Sequence, residues 1–132
     1  MGARLQYAKV IDRERYYARG GRVHPRLENE VVLASEPGST GAFLVLRAWT
    51  DDHGSFTEQW RIESPAGLTV YRSVAREIHL ATRDHVESLE DEVADLELDY
   101  AADDYSVVFS LDDREVARAT FAVALPSRPA GA

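Results

Sequence analysis

The sequence predicts an all-β protein, a single antiparallel β-sandwich of about seven to nine strands. Three observations predict it. In the last third, Tyr105, Val107, Phe109 and Leu111 alternate with smaller or polar residues; Asp112-Asp113 interrupts, and Ala117, Ala119, Phe121, Val123 and Leu125 resume the rhythm. A period of two puts each set on one face of a pleated strand, and the acidic break is turn chemistry, so this is a hairpin with one dry face. Strand signals recur about every ten residues elsewhere, the spacing of a sandwich. Finally, 132 residues fit one domain that buries roughly two-thirds of its unfolded surface, enough for two packed layers.

The elements follow in order. Residues 5–11 are a first strand and residues 30–35 a second, ended by the turn material Glu36-Pro-Gly-Ser-Thr-Gly41. Residues 41–50 read as a central strand, apolar on both faces over most of its length. Thr50-Asp-Asp-His-Gly-Ser55 closes a hairpin onto residues 56–63, where Phe56, Trp60 and Ile62 share a face. Ser64-Pro-Ala-Gly67 fits a type I turn, with Pro65 presetting φ. Strands over 68–72 and 74–82 come next; in the second, Val74, Ile78 and Leu80 point one way and Glu77, His79 and Arg83 the other. Val86, Leu89, Val93 and Leu96 have near-helical spacing, and Asp84 with Glu87 has the form of a capping box. A short acidic helix is therefore expected near 84–91, then a strand over 93–100, where Leu96, Leu98 and Tyr100 alternate. Trp60, Phe109, Phe121 and Leu46 are the expected centre of the core. The domain spans 1–125, its first 29 residues being a strand plus a basic hairpin or loop, and 126–132 is expected to be a disordered tail.

Charge and composition narrow the function. Cysteine is absent, which excludes disulfides and cysteine-ligated metal centres. No apolar run reaches the ~18 residues of a membrane span, and the first residues lack the apolar core of a secretory signal, so a cytoplasmic location is expected. Fourteen arginines against the lone Lys9 suggest a bacterium with a GC-rich genome. The net charge of −8 hides an asymmetry: residues 1–26 carry +5, and residues 84–104 hold ten acids and no Lys or Arg. Overall acidity repels phosphate backbones, so nucleic acid is not an expected partner.

Three candidate sites arise. Arg13, Arg15, Tyr16, Tyr17, Arg19, Arg22 and His24 combine charges for an anion with rings for stacking, with Gly20-Gly21 as the tight turn presenting them. The competing reading pairs these arginines with the acidic tract of the same chain or of a neighbouring copy. Asp95, Glu97, Asp99, Asp103 and Asp104 offer oxygens for calcium; the spacing is not that of an EF-hand, and a solvated strand face explains the same residues. Glu77 and His79 are half of a possible metal site without a third ligand. No Gly-x-Ser-x-Gly elbow and no P-loop lysine are present, and no cofactor is expected.

Asp104-Tyr-Ser-Val-Val-Phe-Ser-Leu-Asp-Asp-Arg-Glu-Val-Ala-Arg-Ala-Thr-Phe-Ala-Val123 resembles the closing hairpin of bacterial immunoglobulin-like and macroglobulin-like domains, and Trp60-Arg-Ile-Glu-Ser-Pro-Ala-Gly67 is similar to their preceding hairpin. Asp113 stands where glycine is common there, and Ala101 where an aspartate precedes the tyrosine. The resemblance implies an immunoglobulin-like sandwich in which Tyr105 hydrogen-bonds back to a connecting loop. Such domains mostly bind proteins or ligands. The expected function is accordingly a non-enzymatic interaction module, joined to itself or to a protein partner through a sheet face or edge. An anion-binding protein built on the basic segment is the alternative, and a calcium-binding domain or metal-dependent enzyme a further one.

Overall fold

The computed structural model describes residues 2–35, 38–100 and 103–125; the expected tail at 126–132 lies outside them. The elements are β1 (Arg4–Asp12), α1 (Arg13–Ala18), β2 (Glu30–Ser35), β3 (Ser39–Thr40), β4 (Phe43–Thr50), β5 (Gly54–Glu63), β6 (Thr69–Arg72), β7 (Arg76–Leu80), β8 (Glu87–Val93), β9 (Tyr105–Leu111) and β10 (Arg114–Ala124). The chain is all-β, as its rhythm predicts. Its ten strands, however, form one mixed sheet, ordered β6-β5-β9-β10-β2-β1-β4-β8, with β3 beside β2 and β7 beside β5. That corrects the expectation of a purely antiparallel arrangement of fewer strands.

The parallel pairs have a local cause. Residues 13–29 cross over from β1 to β2 through α1 and a loop, and a crossover of that length returns the chain in the same direction. Hence β2 runs parallel to β1 at Ile11–Glu30 and to β10 over Ala122, Val123 and Ala124. Asn29 joins all three: its Oδ1 accepts the Val10 N–H at 3.2 Å, its Nδ2 donates to the Thr120 carbonyl at 3.1 Å, and its own carbonyl accepts the Ala122 N–H at 3.0 Å. The expected hairpin turn at Gly20-Gly21 is instead the end of α1, where both glycines take positive φ.

The sheet curls until its ends meet. Three strands separate β9 from β4 in the sheet order, yet Trp49 of β4 packs edge-on against Phe109 of β9 at 6.2 Å, and Phe43 lies 6.4 Å from Phe121. The connection 51–53 therefore carries the chain from one facing end to the other: β4 pairs with β1 and β8, β5 with β6, β7 and β9. The hairpin expected there does not form. Both faces of β4 are buried, as its sequence implies. Phe43, Val45 and Trp49 face the main core with Trp60, Phe109 and Phe121, whereas Leu44 and Leu46 meet Ile11, Tyr16 and Leu27 beneath α1. Leu46 thus belongs to the second core, a correction to its expected place.

The acidic stretch is also corrected. No helix forms near 84–91; residues 87–93 are β8, paired along β4 from Trp49–Glu87 to Phe43–Val93. Leu89, Asp91 and Val93 alternate with the exposed Ser88, Glu90 and Glu92. The inward position held by a carboxylate hid that period of two. Residues 94–100 are not a strand: Asp95 takes φ 56°, and the segment is tied to β3 by Leu96 O to Thr40 N (2.9 Å) and Leu98 N to Gly38 O (2.7 Å). At Gly38 a Cβ would come 2.2 Å from the Leu98 carbonyl, so only glycine fits. Val74, expected to point inward, is 82% exposed.

The closing hairpin is as expected. Asp112 and Asp113 both adopt positive φ, 51° and 65°, the geometry of a two-residue hairpin turn, and β9 pairs β10 from Leu111–Arg114 to Tyr105–Phe121. The Ser64 carbonyl accepts the Gly67 N–H at 2.8 Å, closing the expected turn. Tyr105 opens β9 and reaches back, its hydroxyl donating to the Asp99 carbonyl at 2.9 Å and accepting the Asp99 N–H at 3.1 Å. Tyr105→Phe leaves both Asp99 groups to water or to nothing, an expected loss of about 1–2 kcal/mol in urea unfolding.

Burial raises the Tyr105 pKa, and the Asp99 charge adds to it; burial, then Glu90, raises that of Tyr16. The folded chain holds these two protons more tightly than the unfolded chain does. The stability these two groups contribute is therefore present in full below pH 10.0, the ordinary value, and is lost as pH rises through their folded pKa values. In a near-ultraviolet phenolate titration, Tyr16 and Tyr105 are expected to ionise above the ordinary value of 10.0; Tyr105→Phe should remove one such step.

Candidate functional site

The structure divides the basic N-terminal segment into two halves with different roles. In the first half the charges are answered internally. Arg13 Nε lies 3.3 Å from Glu92 of β8 and its guanidinium 6.0 Å from the Tyr17 ring centroid; Arg15 pairs with Glu30 of β2 at 2.8 Å. Tyr16 is buried and donates to the Gly21 carbonyl at 2.7 Å, closing the turn after α1, and the Tyr17 hydroxyl sits 3.5 Å from Glu90. These four residues fasten α1 to β1, β2, β4 and the acidic β8. Tyr16 offers no ring for stacking.

The second half is different. Arg19, Arg22 and His24, with Val23, Arg26 and Leu27, line a cleft of about 330 Å³. No described carboxylate lies within ion-pair distance of Arg19, Arg22 or Arg26, whereas Arg4, Arg13, Arg15, Arg47, Arg61, Arg76 and Arg118 each have one. The loop wall is anchored: Lys9 Nζ donates to the Leu27 carbonyl at 3.0 Å, and the His24 Nδ1 accepts the Arg26 N–H at 3.1 Å. That bond fixes the neutral His24 tautomer, leaving its Nε2–H free to donate outward. Val23, Arg26 and Leu27 are the members of this cleft outside the predicted set; the only sequence signal of Arg26 was membership of the same basic run.

The acidic candidates gather less. Asp95, Glu97, Asp99, Asp103 and Asp104 are all exposed, on irregular chain rather than on one strand face, with Glu97 held only by an isolated bridge to Ser39. Among the described residues, no three His, Asp or Glu side chains come together as a metal site requires. Glu77 points to solvent from β7, and the His79 Nδ1 lies 3.2 Å from the Ser55 hydroxyl.

One cluster escaped the sequence reading. Arg47 of β4 and Glu58 of β5, each about 1% exposed, form a two-pronged ion pair: Nε to Oε2 is 2.9 Å, and Nη2 meets Oε1. Arg47 Nη2 also reaches Asp91 of β8 at 3.1 Å, and Arg76 of β7 meets the same carboxylate at 2.7 Å. The Trp49 indole N–H donates to Glu58 at 2.5 Å and that of Trp60 to Asp91 at 2.8 Å. Two cations and two anions thus cancel, and no described buried side-chain polar atom lacks a partner. The cluster ties β4 and β8 to β5 and β7 across the core, as a structural clamp with its lone pairs already committed. Its signal was present: Glu58 shares the inward register of Phe56, Trp60 and Ile62, and Arg47 interrupts an otherwise apolar strand.

No family model and no curated protein sequence matches this chain. Among the described residues no helix is long and apolar enough to cross a membrane.

Proposed function

We propose that this protein is a non-enzymatic interaction module that associates with a second copy, or with a protein partner, along the β6 edge of its sheet. One observation carries the reading. The strand β6 pairs only with β5, and apolar side chains stand in water along it: Leu68 is 68% exposed, with Val70 and Val74 also exposed and Tyr100 nearby in the chain after the cleft-lining Asp99. Beside it lies a cleft of about 350 Å³ lined by Leu68, Val70, Leu98 and Tyr105 together with polar groups. An added strand needs free backbone groups and a seat for alternate side chains, and this edge offers both. The opposite edge, β8, carries Glu87, Glu90 and Glu92, charges that discourage strand addition.

The Tyr105 tether and the closing hairpin support an immunoglobulin-like ancestry for the domain, with β2 inserted as a parallel strand. Partner binding through an edge is consistent with that reading but does not follow from fold alone.

Light scattering and sedimentation of the wild type and of Val70→Lys test the proposal. The wild type is expected to form a dimer or larger species at low and high salt alike, since the contact is apolar, and Val70→Lys to return it to monomer with unchanged circular dichroism. A protein that is monomeric under both conditions, or an assembly indifferent to the substitution, removes β6 as the contact for self-association.

A further inference from the structure

We infer that the cleft between the end of α1 and residues 22–27 binds a small phosphate monoester, with Arg19, Arg22 and Arg26 holding the phosphate. The site shares no lining residue with the β6 cleft and does not depend on it.

The argument begins with charge. The chain carries 23 acidic residues against 15 basic ones, and seven described arginines have a carboxylate partner. Arg19, Arg22, Arg26, Arg72, Arg83 and Arg114 have none among the described residues, and the first three of these gather around one cleft of about 330 Å³. Clustering like charges without a counter-charge is unfavourable, and an anion entering the cleft relieves it. Guanidinium groups present planar forks that match phosphate oxygens two at a time. The His24 Nε2–H, freed by the Nδ1 bond to the Arg26 backbone, is a fourth donor at the same place.

Size and surroundings choose the ligand class. The volume is at the small end of ligand sites, which begin near 300 Å³. Val23 and Leu27 supply an apolar wall, a seat for a compact organic group attached to the phosphate. A polyanion is disfavoured because α1 lies against β8, where Glu90 meets Tyr17 and Glu92 meets Arg13. A nucleic-acid strand continuing past the cleft in that direction would run along carboxylates. A single phosphate that stops in the cleft does not meet them.

The test is calorimetric titration of phenyl phosphate, inorganic phosphate and a single-stranded oligothymidylate at one fixed ionic strength. The proteins are the wild type, the double variant Arg22→Ala/Arg26→Ala, and a control, Arg83→Ala/Arg114→Ala, that removes the same charge from exposed positions elsewhere. Circular dichroism confirms that each remains folded. Phenyl phosphate is expected to saturate one site on the wild type and to bind more tightly than inorganic phosphate. The cleft variant should weaken it about tenfold or more, and the control less than about threefold. Three results overturn the assignment: no saturation with phenyl phosphate, equal weakening in the control, or oligothymidylate binding more tightly than phenyl phosphate with a steep salt dependence.

Discussion

Glu58→Ala is expected to destabilise the protein by about 3–5 kcal/mol, while Arg47→Met combined with Glu58→Leu should recover most of that loss. In the single variant the Arg47 guanidinium stays buried with only Asp91 to answer it, and the Trp49 N–H loses its acceptor. An uncompensated charge in a low-dielectric interior costs far more than the intact pair contributes. The double variant removes both charges and fills the space with apolar atoms. Urea unfolding followed by far-ultraviolet circular dichroism measures both. Additive losses in the double variant would mean that the two groups do not act as a pair. If Glu58→Ala costs less than about 1 kcal/mol, the clamp across the core is not as described.

Trp60→Ala is expected to cost about 3–5 kcal/mol. Trp60 is buried on β5, its ring stacked on Tyr71 at 5.5 Å, and its indole N–H bonds Asp91. Truncation opens a cavity between the facing ends of the sheet and takes one of three donors from Asp91. Trp60→Phe keeps most of the volume and loses only the hydrogen bond, with an expected cost of about 1–3 kcal/mol. The ordering of the two variants is the informative readout: if Phe and Ala cost the same, the polar contact dominates and packing at this position does not. Against a total stability of about 5–15 kcal/mol, either Trp60→Ala or Glu58→Ala approaches the limit of folding.

Particular residues show where sequence reading succeeds. The alternation in β9 and β10, the double-sided apolar β4 and the Asp112-Asp113 turn are local patterns, and each formed where its pattern lies. The basic segment was recognised as a candidate site, but its members could not be sorted. Arg13 and Arg19 look alike in the sequence; one faces Glu92 across 79 positions and the other faces no described acid. The strand expected over 93–100, with Asp95, Glu97 and Asp99 on one solvated face, is broken by the Asp95 backbone. The acidic helix failed because Asp91 occupies an inward position, and a rule that seeks apolar residues inside passes over a carboxylate matched by two arginines and an indole.

By itself, the sequence determined most of the strands outside residues 84–100, where the closing hairpin turns and that a basic and an acidic region coexist. These depend on side-chain period, on backbone preference and on composition, which are properties of neighbouring residues. Tertiary structure alone decided that β2 runs parallel between β1 and β10, that the sheet curls to bring Arg47 onto Glu58, and which arginines remain open to a ligand. Those outcomes depend on pairing between residues far apart in the chain, and a charge has no assigned partner until the fold brings one within reach.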